Sequence, residues 1–69
     1  MTAQEIMKLR NAVRQSPIYW KDDEKIWLVL CIQEHEDEEL PVAMFRQGKY
    51  VALENTELSE FVKLERLAL

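Results

Sequence analysis

One cysteine, one histidine and a run of carboxylates are the side chains here that could do chemistry. A nucleophile needs a base held beside it, as in Ser–His or Cys–His pairs. Cys31 stands inside the apolar run Ile26–Ile32, the setting of a packed and inert thiol. His35 stands among acids, with no nucleophile at a spacing that would pair with it. These residues do not make a catalytic pair, and the expectation is a protein that is not an enzyme.

The run Glu34-His35-Glu36-Asp37-Glu38-Glu39 offers oxygen ligands to a divalent cation. Consecutive side chains diverge, however, and the D-x-D-x-D-G spacing of a calcium loop is missing. Cys31 and His35 alone do not make a zinc site. A single glycine, Gly48, cannot form a glycine-rich phosphate loop, so neither a nucleotide cofactor nor a metal is expected. Two readings of the run remain. It is a solvated loop whose charge guards the end of a sheet, or a docking strip in which Glu36, Asp37 and Glu38 attract a basic partner.

Charge limits the other partners. Nine basic against thirteen acidic residues give a net charge of −4, which argues against phosphate-backbone binding as the main activity. The charge is nevertheless uneven. Residues 1–21 carry four cations (Lys8, Arg10, Arg14, Lys21) and one carboxylate (Glu5), net +3, leaving −7 for the rest. A basic helix beside Tyr19 and Trp20 could stack on a single nucleic-acid strand, which makes a nucleic-acid accessory protein the second reading. Aromatic clusters on small barrels also form cages for methylated lysine or grooves for proline-rich peptides. Here Trp27 and Phe45 read as core, while Tyr19, Trp20 and Tyr50 lie at strand ends where an amphipathic ring can anchor an interface.

The elements that must position these residues follow from pattern. Residues 2–15 predict a helix: Thr2 and Glu5 have capping-box spacing, Ile6, Leu9 and Val13 share a face, and Ser16-Pro17 stops it. Ile18-Tyr19-Trp20 predicts a short strand, and Lys21–Lys25 a charged turn. Ile26–Ile32 predicts a central strand, and seven successive apolar residues imply that both its faces are covered. Strands follow at Val42–Phe45 and Tyr50–Leu53, joined by Arg46-Gln47-Gly48-Lys49 with Gly48 at positive φ. Asn55 or Thr56 then caps a last helix, with Leu58, Phe61, Val62, Leu64 and Ala68 on its apolar face.

The fold class is therefore α+β in one small domain, residues 1–69: an N-terminal helix, an antiparallel sheet of three or four strands, and a C-terminal helix. The residues Tyr19-Trp20-x-Asp22-Asp23, Trp27-Leu28-Val29 and Met44-Phe45-x-x-Gly48-Lys49-Tyr50-Val51 resemble Tudor and related SH3-like barrels over about half the chain. That resemblance implies, as the alternative, a small barrel with flanking helices and a binding function, commonly for peptides. From Val42 on, the pattern is also similar to small helix–hairpin–helix phage head proteins. The start Met1-Thr2-Ala3-Gln4-Glu5 lacks the basic-then-apolar order of a signal peptide, no apolar run reaches bilayer length, and a lone thiol suits a reducing compartment. A cytoplasmic protein is expected. So short a chain gains little net stability from its own core. With the apolar central strand, this points to a small adaptor, inhibitor or regulatory subunit that binds a larger protein. A homodimer would satisfy the same physics.

Overall fold

The computed structural model describes residues 1–63. Among these residues the one α-helix, α1 (Ala3–Gln15), begins where Thr2 Oγ1 accepts the Glu5 N–H at 3.2 Å and Glu5 Oε1 accepts the Thr2 N–H at 2.9 Å. This reciprocal box satisfies two donors that a helix start otherwise leaves unpaired. Ile6 and Leu9 are the residues α1 buries, one turn apart on one face. The helix ends at Ser16, whose extended backbone suits the residue before a proline.

Six short strands follow: β1 (Ile18–Lys21), β2 (Ile26–Leu28), β3 (Cys31–Gln33), β4 (Val42–Met44), β5 (Tyr50–Ala52) and β6 (Phe61–Lys63). They form two antiparallel sheets, in the orders β2-β1-β6 and β3-β4-β5. The expected central strand is thus one chain path, residues 26–33, whose first half belongs to one sheet and second half to the other. The switch falls between two neighbours. Val29 donates to the Ile18 carbonyl at 2.9 Å, and Leu30 donates to the Met44 carbonyl at 2.8 Å.

Met44 is also the register partner of Cys31, so Leu30 and Cys31 both face one residue of β4. Two residues against one is the arrangement of a β-bulge, which bends the strand and shifts its alternation by one. Burial follows that shift. Ile26, Leu28, Leu30 and Cys31 are exposed, while Trp27, Val29 and Ile32 turn toward the core.

Three expectations are corrected here. Both faces of the 26–32 strand are not covered, because alternation and the bulge leave one row of aliphatic side chains outside. Cys31 is exposed rather than packed, since the bulge turns it outward. The segment expected to open a C-terminal helix instead forms a 3-10 turn at Leu58–Glu60 and then β6. Phe61 and Val62 favour the strand because they find cross-strand partners in Trp20 and Tyr19. Leu64 and Ala68, the rest of that expected helix, lie outside the described residues. An α+β fold with an N-terminal helix stands, with two small sheets in place of one. No ladder among the described residues joins β5 to the first sheet, so the sheets do not close into the barrel held as the alternative.

The sheets and α1 enclose a core of Ile6, Leu9, Ile18, Val29, Ala43, Phe45 and Leu53, with Trp20, Trp27 and Phe61 packed against it. The β4–β5 turn has positive φ at two successive residues, 62° at Gln47 and 73° at Gly48. Phe45 donates to the Lys49 carbonyl at 2.8 Å and Met44 pairs with Tyr50, so the loop is the three residues Arg46–Gly48, closed by this left-handed pair.

Candidate partner-binding surface

Antiparallel register places Leu28, Tyr19 and Val62 in one cross-strand row, with Lys21 beside Ile26 in the next row on the same face. That face points away from the core. Ile26 is 49% exposed, Leu28 39% and Leu30 52%, which makes an aliphatic stripe along the bent strand. Tyr19 is half-buried beside it. The other expected anchors separate. Trp20 turns inward, stacked on Phe45 with centroids 5.3 Å apart, and its indole N–H donates to Glu60 at 3.0 Å.

Tyr50 lies on β5 and is exposed, its ring stacked on His35 at 4.3 Å. His35 belongs to the acidic loop, where its carbonyl accepts the Glu38 N–H at 2.9 Å and its Nδ1 accepts the Asp37 N–H at 3.3 Å. Glu36 and Asp37 are exposed and Glu38 is half-buried. The structure therefore brings Tyr50 together with the loop of Glu36, Asp37 and Glu38, and keeps Tyr19 apart on the other sheet. Among the described residues, no three His, Cys, Asp or Glu side chains gather as metal ligands.

Open grooves border the stripe, two of which bear on the charge around it. One runs between α1 and the second half of the bent strand, lined by Arg10, Val13, Arg14, Leu30, Cys31 and Glu34. Arg10 and Arg14 are one turn apart and share a face, whereas Lys8 lies about 200° around the helix from Arg10. The three cations of the nucleic-acid reading do not form one strip. The Arg10 Nε is buried without a hydrogen-bond partner.

The second groove is lined by Ile26, Trp27 and Leu28 on one wall and Phe45, Arg46 and Gln47 on the other. The ammonium groups of Lys25 and Lys49 lie 5.6 and 4.9 Å from the Trp27 ring centroid, within cation–π range. Asp22 fixes this corner. Its carboxylate accepts the Lys25 N–H at 2.6 Å, the Glu24 N–H at 2.8 Å and the Trp27 indole N–H at 3.0 Å. The bonds from the Lys25 and Glu24 amides, followed by the indole, hold its pKa below the usual aspartate value.

Alternation within residues 26–32 was the available signal for the stripe: Ile26, Leu28 and Leu30 share one parity. Lys25 adjoins the run in sequence, whereas Arg46 and Lys49 come from a distant turn and had no signal in local sequence. Compared with known protein families, curated proteins and solved structures, the chain matches none.

Proposed function

We propose that this chain is a non-enzymatic protein–protein interaction module, a small adaptor, inhibitor or regulatory subunit that acts by covering a surface of a larger protein. The observation that carries this reading is the outward row Ile26, Leu28 and Leu30, three large aliphatic side chains side by side on a small domain. Contiguous apolar surface of this kind is what partners bury. Tyr19, beside the row, adds an aromatic anchor. Tyr50 and the loop of Glu36, Asp37 and Glu38 form a separate acidic edge, which speeds approach to a basic region of the same partner without supplying most of the affinity.

The test is a tagged pull-down from host lysate with nuclease treatment, run in parallel with wild type and a Leu28→Ser/Leu30→Ser variant. A stoichiometric protein recovered with wild type and lost with the variant is expected. Equal recovery by both chains, or recovery that depends on nucleic acid, overturns the reading.

A further inference from the structure

The first half of the bent strand is an open sheet edge. Asp22 donates to the Lys25 carbonyl at 3.1 Å and Val29 donates to the Ile18 carbonyl at 2.9 Å, so residues 25, 27 and 29 direct their backbone groups toward β1. Antiparallel alternation then turns the N–H and C=O of Ile26 and Leu28 to the other side. On that side, among the described residues, β2 has no neighbouring strand, because the sheet order ends there. What lies there is the groove facing Phe45, Arg46 and Gln47.

Charge selects the occupant. Although the chain is acidic overall, this edge carries Lys25 and Lys49 against Trp27, Arg46 on the opposite wall, and Lys21 in register with Ile26. Asp22, which keeps its charge while accepting three hydrogen bonds, and the exposed Asp23 and Glu24 stand in the adjoining turn, outside the groove lining, where Arg46 is the charged group. An unpaired edge offers main-chain hydrogen bonds to an incoming strand, and side chains flanking it set which strand fits.

We propose that the free edge of β2 receives an extended segment of a partner protein in which aliphatic residues alternate with carboxylates. The segment adds as a strand, bonding the backbone of Ile26 and Leu28. Its aliphatic side chains lie on the stripe, and its carboxylates meet Arg46, Lys49 and Lys25. This deepens the interaction reading above and rests on it, by naming the chemistry of the segment that is bound.

The experiment titrates the full-length ¹⁵N-labelled chain with the capped peptide Glu-Val-Glu-Val-Glu-Val and follows amide shifts and hydrogen exchange. Shifts centred on residues 25–28 and 45–49, with Ile26 and Leu28 exchange slowed at least tenfold at saturation, are expected. A capped Lys-Val-Lys-Val-Lys-Val peptide should bind at least tenfold more weakly. Arg46→Glu/Lys49→Glu should lose at least tenfold of the Glu-Val affinity, its dispersed spectrum showing that these exposed turn positions do not unfold the chain. N-methylation of alternate peptide amides, tested in both registers, should abolish binding in one register. No shifts, shifts centred on the Arg10–Arg14 groove, equal binding of both peptides, or indifference to N-methylation in both registers each overturn the proposal. If the peptide fails while Leu28→Ser/Leu30→Ser still loses the lysate partner, this assignment alone falls and the broader reading survives.

Discussion

Val29 and Leu30 are adjacent in the chain, yet their amides are bonded into different sheets. One donates to Ile18 in β1 at 2.9 Å, the other to Met44 in β4 at 2.8 Å. Their side chains separate in the same way: Val29 is buried in the core and Leu30 stands 52% exposed. One peptide unit thus joins the two sheets, sets the core on one side and leaves the stripe on the other.

The consequences for stability differ sharply between these neighbours. Val29→Ala removes packed methyl groups from the core and should cost about 1–3 kcal/mol. Leu30→Ala keeps the backbone bond and should cost less than about 0.5 kcal/mol. Leu53→Ala, at a fully buried position, should cost about 2–5 kcal/mol and leave little folded protein. Urea midpoints at a common slope measure all three, and a Leu30 cost equal to that of Val29 would contradict the outward placement.

The β4–β5 turn gives a second, independent check. Gln47 has φ of 62°, a left-handed conformation that asparagine and glycine adopt more readily. Gln47→Asn should raise stability by about 0.5 kcal/mol. A Cβ at Gly48 meets nothing within 4 Å, so Gly48→Ala carries backbone strain alone, about 1 kcal/mol at φ +73°. A rise for the alanine variant would mean that this turn has another geometry.

Acid should weaken the Trp27 corner. The folded pKa of Asp22 lies below its ordinary value of 3.8, first through the Lys25 amide, then the Glu24 amide and the Trp27 indole. A depressed carboxylate pKa adds stability that is fully present above the unfolded value and is lost as pH falls through the folded one. Asp22 should therefore contribute fully near neutral pH, and progressively less from about pH 4 downward. Asp22→Asn should flatten this part of the stability profile, and Trp27 fluorescence should report the change at the same corner. An unchanged acid limb in the variant would remove Asp22 from the account.

How much of this was legible in the residues depended on the range of the interaction. The α1 cap, the stop at Ser16-Pro17 and the Gln47-Gly48 turn are set within a few residues, and all appear where the pattern placed them. The fate of Phe61 and Val62 was not local. Their spacing suits a helix face, but Trp20 and Tyr19 offered β-pairing some 40 residues away, and that contact prevailed. The exposure of Cys31 required the bulge opposite Met44, which an unbroken apolar run conceals. The pairing of Tyr50 with the acidic loop through His35 was likewise invisible, because β5 and that loop meet only in the folded chain.

The acidic edge and the stripe should separate in binding kinetics. Charges on an exposed loop act through long-range attraction, so they change encounter rates and are screened over about 8 Å at physiological ionic strength. Desolvated aliphatic contacts form only after encounter, and their loss appears mainly in dissociation. Against the partner recovered from lysate, Glu36→Lys/Asp37→Lys/Glu38→Lys should slow association at least tenfold at low salt, with the gap closing as salt rises. Leu28→Ser/Leu30→Ser should speed dissociation at least tenfold at every salt concentration, with association little changed. Surface plasmon resonance across a salt series measures both. An association rate indifferent to the charge reversal would remove Glu36, Asp37 and Glu38 from the mechanism and leave the stripe to account for binding alone.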